Sequence, residues 1–268
     1  MDGIKVIKVE LPYFDTIEVI PISDTHIGEE FADVESLKAV VRWVLLKPNR
    51  FVILNGDIMN IALKNSKSDV YTEKIPISRQ LSFARMIFEP IIDRIIGISP
   101  GNHEERIRRE TNLDMMYLFA KELGLEDRYA DNSFLIFIKF GRSKHAYAGQ
   151  NKQLVYSIFV WHGAGGGSTS GGTLNKLMKM SDTVIADLYI MGHKHVPIAT
   201  SAPVYLCDYQ NMTKYELYLH FLSTNAYLEF GGYGQRAGYR PPSKHIVSAE
   251  LNGRKKKAIK LKIGDNQF

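Results

Sequence analysis

The sequence has little of what usually settles a protein's class. A single cysteine, Cys207, in 268 residues excludes an intramolecular disulfide framework and any thiolate-rich metal site. No apolar run reaches the roughly 18 residues of a membrane span, so neither a transmembrane helix nor a membrane partner is expected. The opening Met1-Asp2-Gly3-Ile4-Lys5 has charges where a secretory leader needs an apolar block. The expected location is therefore cytoplasmic. The glycine-rich tract Gly163 to Gly172 lacks the lysine that a phosphate-binding P-loop requires. Its composition is that of a flexible linker, either a mobile edge to a site or an ordinary loop. Charge of one sign is only mildly in excess, with 34 Lys+Arg against 29 Asp+Glu, net +5 and a pI near 9.0. That balance leans toward anionic partners without requiring nucleic acid.

What is present is enough apolar material, 45%, to bury one large core. No repeat or convincing linker divides the chain, so residues 1–268 are expected to form one domain. Residues 4 to 9 and Ile17 to Ser23 read as strands. Val34, Leu37, Val41, Val44 and Leu45 have helical spacing, stopped by Pro48-Asn49. Phe51 to Leu54, Ile95 to Pro100 and Leu188 to Met191 are short apolar runs suited to buried parallel strands. Residues 60 to 77 read as an irregular surface excursion. Ser78 is expected to cap a helix that Pro90 kinks or divides. Thr111-x-x-Asp114 is expected to start another helix, and Thr173 to Met180 a short one.

From residue 134 onward the pattern turns to β. Phe134 to Phe140 and Leu154 to Val160 are strands, with His145 on a surface loop between them. Residues 198 to 223 hold at least two more. The final pair, His245 to Leu251 and Lys256 to Ile263, alternates around Asn252-Gly253 as a hairpin does. Before it, Tyr227, Phe230, Tyr233, Arg236, Tyr239 and Arg240 interleave rings with cations. Such a stretch either stacks bases or covers the edge of the core.

The chemistry lies where the short strands stop. Five polar motifs follow strands: Asp24-Thr25-His26, Asn55-Gly56-Asp57, Gly101-Asn102-His103-Glu104, Trp161-His162-Gly163 and Gly192-His193-Lys194-His195. Five of the eight histidines fall in them. In an open α/β sheet such residues converge at one edge. Their nitrogen and oxygen donors suit manganese, iron or zinc better than calcium or copper(I). Two such ions about 3.5–4 Å apart are a recurrent device for in-line phosphoryl displacement. Arg106, Arg108 and Arg109 lie just beyond the third motif. They are either phosphate clamps or a solvated helix face paired with Glu104, Glu105 and Glu110.

The order D-x-H, G-D, G-N-H-E, H-G, G-H-x-H resembles the calcineurin-like metallophosphoesterase superfamily, from residue 24 to residue 195. The resemblance implies an α/β fold, a four-layer α/β/β/α sandwich of two mixed β-sheets flanked by helices. It implies a hydrolase with two divalent metal ions, manganese first, with iron or zinc as alternatives. Asp24, His26 and His195 would bind one ion, Asn102, His162 and His193 the other, and Asp57 would bridge them. His103 would contact the phosphate and protonate the leaving oxygen, work that suits an imidazole near neutral pH. Protein Ser/Thr phosphatases are similar at Gly101 to Glu104, but their second motif continues to an arginine absent after Asp57-Ile58-Met59-Asn60. The last motif looks more like the branch of phosphodiesterases and nucleases, and the compact length like stand-alone phosphoesterases of phages and bacteria. The expected substrate is thus a phosphodiester in DNA, RNA or a nucleotide. The alternatives are a phosphomonoesterase using the same centre and a metal-free scaffold.

Overall fold

A computed structural model describes residues 3–64, 66, 70–142, 153–166, 169–232, 235, 238, 240–254 and 256–264. The expectations for His145, Tyr233, Arg236 and Tyr239 fall outside the described residues. The first half runs β1 (Lys5–Glu10), β2 (Thr16–Ile22), α1 (Val34–Leu45), β3 (Arg50–Asn55), α2 (Ile77–Phe88), β4 (Ile95–Ser99), α3 (Asn102–Thr111) and α4 (Met115–Glu122). The second half runs β5 (Phe134–Lys139), β6 (Val155–Trp161), α5 (Ser170–Met178), β7 (Leu188–Met191), β8 (Ile198–Asp208), β9 (Thr213–Ser223), β10 (Ile246–Asn252) and β11 (Ile259–Gly264). No described helix is long and apolar enough to cross a membrane.

The strands form a six-stranded sheet, β1-β5-β6-β7-β9-β8, and a five-stranded sheet, β11-β10-β2-β3-β4. Both are mixed. β2, β3 and β4 are parallel and β10 antiparallel to β2, while β6, β7 and β9 are parallel with β5 and β8 antiparallel at their flanks. The strands that read as continuous apolar runs, β3, β4 and β7, are buried along their whole length. That burial follows from layers on both faces. Between the sheets, Val19, Ile53, Phe134, Ile136, Ile158, Ile190 and Val247 share one core. Outside the five-stranded sheet, Ile20, Leu54 and Ile98 pack under α1, α2 and α4, through Val41, Phe88 and Phe119. Outside the six-stranded sheet, Phe159, Tyr189 and Phe221 pack against Leu177 of α5. The order of layers is helix, sheet, sheet, helix, as the resemblance implied.

Four local expectations need correction. α2 starts at Ile77 after Pro76, with no side-chain cap, so Ser78 lies inside its first turn. Pro76, extended with φ −61° and ψ 147°, sits just before the first turn, where its missing N–H costs nothing. The excursion after residue 59 is not all surface, because Asn60, Ile61 and Ala62 are buried. Glu73 and Gln80 draw it inward, accepting from the Ala62 and Ile61 backbone N–H groups at 3.0 Å each. The last hairpin exists, but Leu251 pairs with Ile259, so its connection is longer than a two-residue Asn-Gly turn. α5 begins at Ser170, capped by Thr169, and so includes the end of the glycine-rich tract. Elsewhere, Pro90 does divide its helix: α2 stops at Phe88 and a 3-10 turn, Glu89–Arg94, follows. Asp114 itself caps α4, accepting from Tyr117 N–H at 2.8 Å.

Candidate metal centre

The parallel strands of both sheets end on the same side, and their ends are tied together. Asp24 N–H donates to the Gly56 carbonyl (3.0 Å) and Gly192 N–H to the His162 carbonyl (3.1 Å). The Asn55 amide crosses to the Trp161 carbonyl at 3.2 Å, joining β3 to β6. Gly56 is needed at its turn for two reasons. Its φ is +74°, and a Cβ there would lie 2.4 Å from Gly101 N. The second and third motifs therefore touch backbone to backbone.

All eight candidate residues are brought together. Asp24, His26 and His195 form one group of facing donor atoms, and Asp57, His162 and His193 another. A third group, His26, Asp57 and His103, overlaps both and puts Asp57 in the middle. His195 Nε2 lies 3.1 Å from Asp24 Oδ1 and 3.3 Å from His26 Nε2. His162 donates from Nδ1 to the Asn55 carbonyl (2.6 Å), which turns Nε2 into the centre. That Nε2 is buried without a hydrogen bond, 3.2 Å from Asp57 Oδ2. His193 donates from Nε2 to the Gly165 carbonyl (3.1 Å), turning Nδ1 toward Asn102 Oδ1 at 2.6 Å. Lone pairs facing lone pairs in a buried site are costly unless a cation lies among them. Nitrogen and carboxylate donors without sulfur fit a divalent transition ion.

The backbone is strained at the same places. Asp24, His26, Asp57, His193 and His195 all have positive φ, between 44° and 67°, and none is glycine. Left-handed backbone at such residues persists only where the surroundings enforce it, and it clusters at functional sites. His193 N–H donates to both Asp24 carboxylate oxygens, at 3.1 and 3.0 Å, and His103 N–H to Asp57 Oδ1 at 2.8 Å. Each carboxylate is thus oriented by a loop from another strand.

Electrostatics follow this packing. Burial pushes the Asp24 pKa up, yet the adjacent His195 and His162 bring it down to about 2. Burial likewise opposes Asp57, and His162 and His103 still hold it well below the carboxylate range. Burial pulls His162 down, but the Asp57 charge outweighs it and holds the ring up to about 10. His26, His193 and His103 are lowered, first by burial. His103 donates from Nδ1 to the Asn60 carbonyl (2.6 Å), and its Nε2 accepts from Arg106 Nη2 at 2.8 Å. That Nε2 is 3.9 Å from Asp57 Oδ2.

Two supporting residues escaped the sequence reading. Glu104, which the sequence offers only as one possible partner of the nearby arginines, is 1% exposed. Its oxygens accept from the backbone N–H groups of Gly101 (2.9 Å), Asp57 (3.0 Å) and Met59 (2.9 Å). Burial, then the nearby Asp57 charge, push its pKa up to about 7 against the Met59 and Gly101 donors. Lys194, between two histidines, turns back to the Gly165 and Gly166 carbonyls and anchors the glycine-rich tract. Both lie inside the quoted motifs, but those motifs do not show which backbone groups they brace. The arginines divide: Arg106 meets His103, Arg108 pairs with Glu105 at 2.7 Å, and Arg109 is exposed.

A groove of about 650 Å³ opens from Asn102 and His162. Its walls are Glu105, Arg108 and Arg109 of α3, Asp131 to Ser133, Gly3 and Ile4, and Trp161 to Ala164.

Residues 18–197 match the calcineurin-like phosphoesterase family. The chain belongs to that family. It is accordingly a metal-dependent phosphoester hydrolase, and its His and Asp groups are able to hold metal. No curated protein matches it. Among solved structures it is similar to a conserved uncharacterised protein, a predicted phosphoesterase, from Streptococcus pneumoniae TIGR4. That likeness has 14% identity and a TM-score of 0.37, over 93% of this chain and 98% of that one. A metallophosphoesterase from Sphaerobacter thermophilus shows 12% identity and a TM-score of 0.41, over 93% and 89%. A Vps29 single mutant from Entamoeba histolytica shows 10% and 0.41, over 93% and 100%.

Proposed function

We propose that this phosphoesterase is a two-metal phosphodiesterase, carried by one domain in the cytoplasm and acting on nucleic acid or nucleotides. Asp24, His26 and His195 would hold one ion, Asn102, His162 and His193 the other, with Asp57 between them. The donor set favours manganese, with iron or zinc as alternatives. Two such ions would supply a water made nucleophilic near neutral pH and would neutralise charge on the phosphate oxygens.

The remaining steps belong to the chain. Asp57, oriented by His103 N–H and flanked by the Glu104-braced loop, keeps the two ligand groups in register. Arg106 and His103 Nε2 together offer a cation and a ring nitrogen to the phosphate. A phosphate arriving there draws the Arg106 guanidinium to itself and favours the protonated ring. His103 then gives that proton to the departing oxygen.

The observation that carries the diester reading is the groove. A monoester needs space for one organic arm, whereas a diester has a second arm to place. A polar groove of about 650 Å³ beside Asn102 and His162 provides it. With manganese supplied, bis-p-nitrophenyl phosphate should be hydrolysed with a higher kcat/KM than p-nitrophenyl phosphate. A clear preference for the monoester would replace this reading with a phosphatase.

A further inference from the structure

We infer that the groove holds the substrate arm that stays on phosphorus, and that Arg109 at its far end binds a second phosphate on that arm. This rests on the diesterase reading and adds a substrate requirement to it.

Three features of the wall carry the inference. Arg109 lines the groove and is exposed, and it has no hydrogen-bond or ion-pair partner among the described residues. Its neighbour Arg108 is already committed, to Glu105 at 2.7 Å and to the Asp131 carbonyl at 3.5 Å. An uncommitted guanidinium in a groove is a ready partner for phosphate. Second, α3 begins at Asn102, so Arg109 lies roughly 10 Å further along its axis. That span leaves room for a sugar or base between two phosphates. Third, the intervening wall does not favour a bare polyphosphate. Asp131 is an acceptor there, and Asn132 and Ser133 offer amide and hydroxyl groups. A nucleoside has the hydroxyl and amino donors that Asp131 needs, and its outer phosphate reaches Arg109.

The direction of cleavage follows from what the groove lacks. Asn102 and His162 line it, but His103 does not. The proton donor therefore faces the other arm. Water adds to phosphorus, the bond to the arm outside the groove breaks, and that arm's oxygen takes the proton from His103. The phosphate remains on the arm that already carries the second one.

The test uses the manganese-loaded full chain with thymidine dinucleotides, plain or bearing a terminal 5′- or 3′-phosphate. One phosphorylated form should bind better than the plain one, with KM roughly tenfold lower. Its products should be thymidine and thymidine bisphosphate. In Arg109→Gln the tenfold ratio should fall to about one, whereas Arg79→Gln, an exposed charge on α2, should preserve it. Equal KM for all three dinucleotides, with bis-p-nitrophenyl phosphate still hydrolysed, would overturn the Arg109 subsite alone. Two molecules of thymidine monophosphate would overturn the assignment of the retained arm. Release of orthophosphate only, or no diester hydrolysis at all, would overturn the diesterase reading as well.

Discussion

A histidine protonates a departing oxygen only if a ring nitrogen faces it, and in His103 that nitrogen is Nε2. Nδ1 is occupied by the Asn60 carbonyl. Removing the ring should leave the ligand groups intact, since His103 belongs to neither of the two outer ones. We expect His103→Ala to keep both metals and lose about 10²–10⁴-fold in kcat on a dinucleotide. A nitrophenyl ester, whose leaving group departs unprotonated, should lose much less. Parallel kcat and metal measurements decide the point: equal losses would make His103 a positioning group, and loss of one ion would make it a ligand. At this scale the sequence shows which side chains can act, because Asp, Asn and His at strand ends are poor packing material. It does not show the left-handed backbone of Asp24, His26, Asp57, His193 and His195. No glycine marks those positions, and the conformation is imposed by contacts between loops far apart in sequence. Glu104 was missed for the same reason, since its partners lie in the Asp57 loop.

At the scale of elements, one buried charge crosses four strands of the five-stranded sheet. Glu18 of β2 accepts from Arg50 of β3 (3.1 Å), Ser248 of β10 (2.9 Å) and Lys262 of β11 (3.1 Å). Arg50 also sits over the Trp43 ring at 3.6 Å, which fixes α1 against β3. Burial pushes the Glu18 pKa up, but Ser248, Lys262 and Arg50 bring it below its ordinary 4.5. A lowered folded pKa means stability that is present above 4.5 and lost as pH falls through the folded value. Glu18→Gln should therefore destabilise by about 3 kcal/mol at pH 7, as expected for one partner removed from a buried pair. The gap from the parent should close as the pH falls below 4.5 and through the lowered folded value. Urea unfolding of both proteins across that range checks it, and a pH-independent gap would mean that packing alone is lost. Most elements were legible from the sequence, because apolar runs, prolines and caps act locally. The order of strands was not. Pairing β10 with β2, and β1 with β5, depends on contacts that no local pattern records.

At the scale of the whole molecule, the candidate ligands are divided between the sheets. Asp24, Asp57 and Asn102 follow strands of the five-stranded sheet, while His162, His193 and His195 follow strands of the six-stranded one. Strands from both sheets also fill the core between them. If the chain is one domain, neither sheet unfolds without the other. Ile53→Ala in β3 and Ile136→Ala in β5 remove fully buried side chains from that shared core, one on each sheet. Each should cost about 2–5 kcal/mol and move the same single transition, seen alike by calorimetry and circular dichroism. Ions held between the sheets would stabilise both at once. Manganese at about a hundred times its dissociation constant should raise Tm by roughly 5–10 °C without splitting the transition. Chelation should reverse the rise, and Asp57→Asn should largely abolish it, because Asp57 lies in the group that overlaps the other two. Two transitions, only one of them sensitive to manganese, would show that the sheets fold separately and that the ions bind one of them.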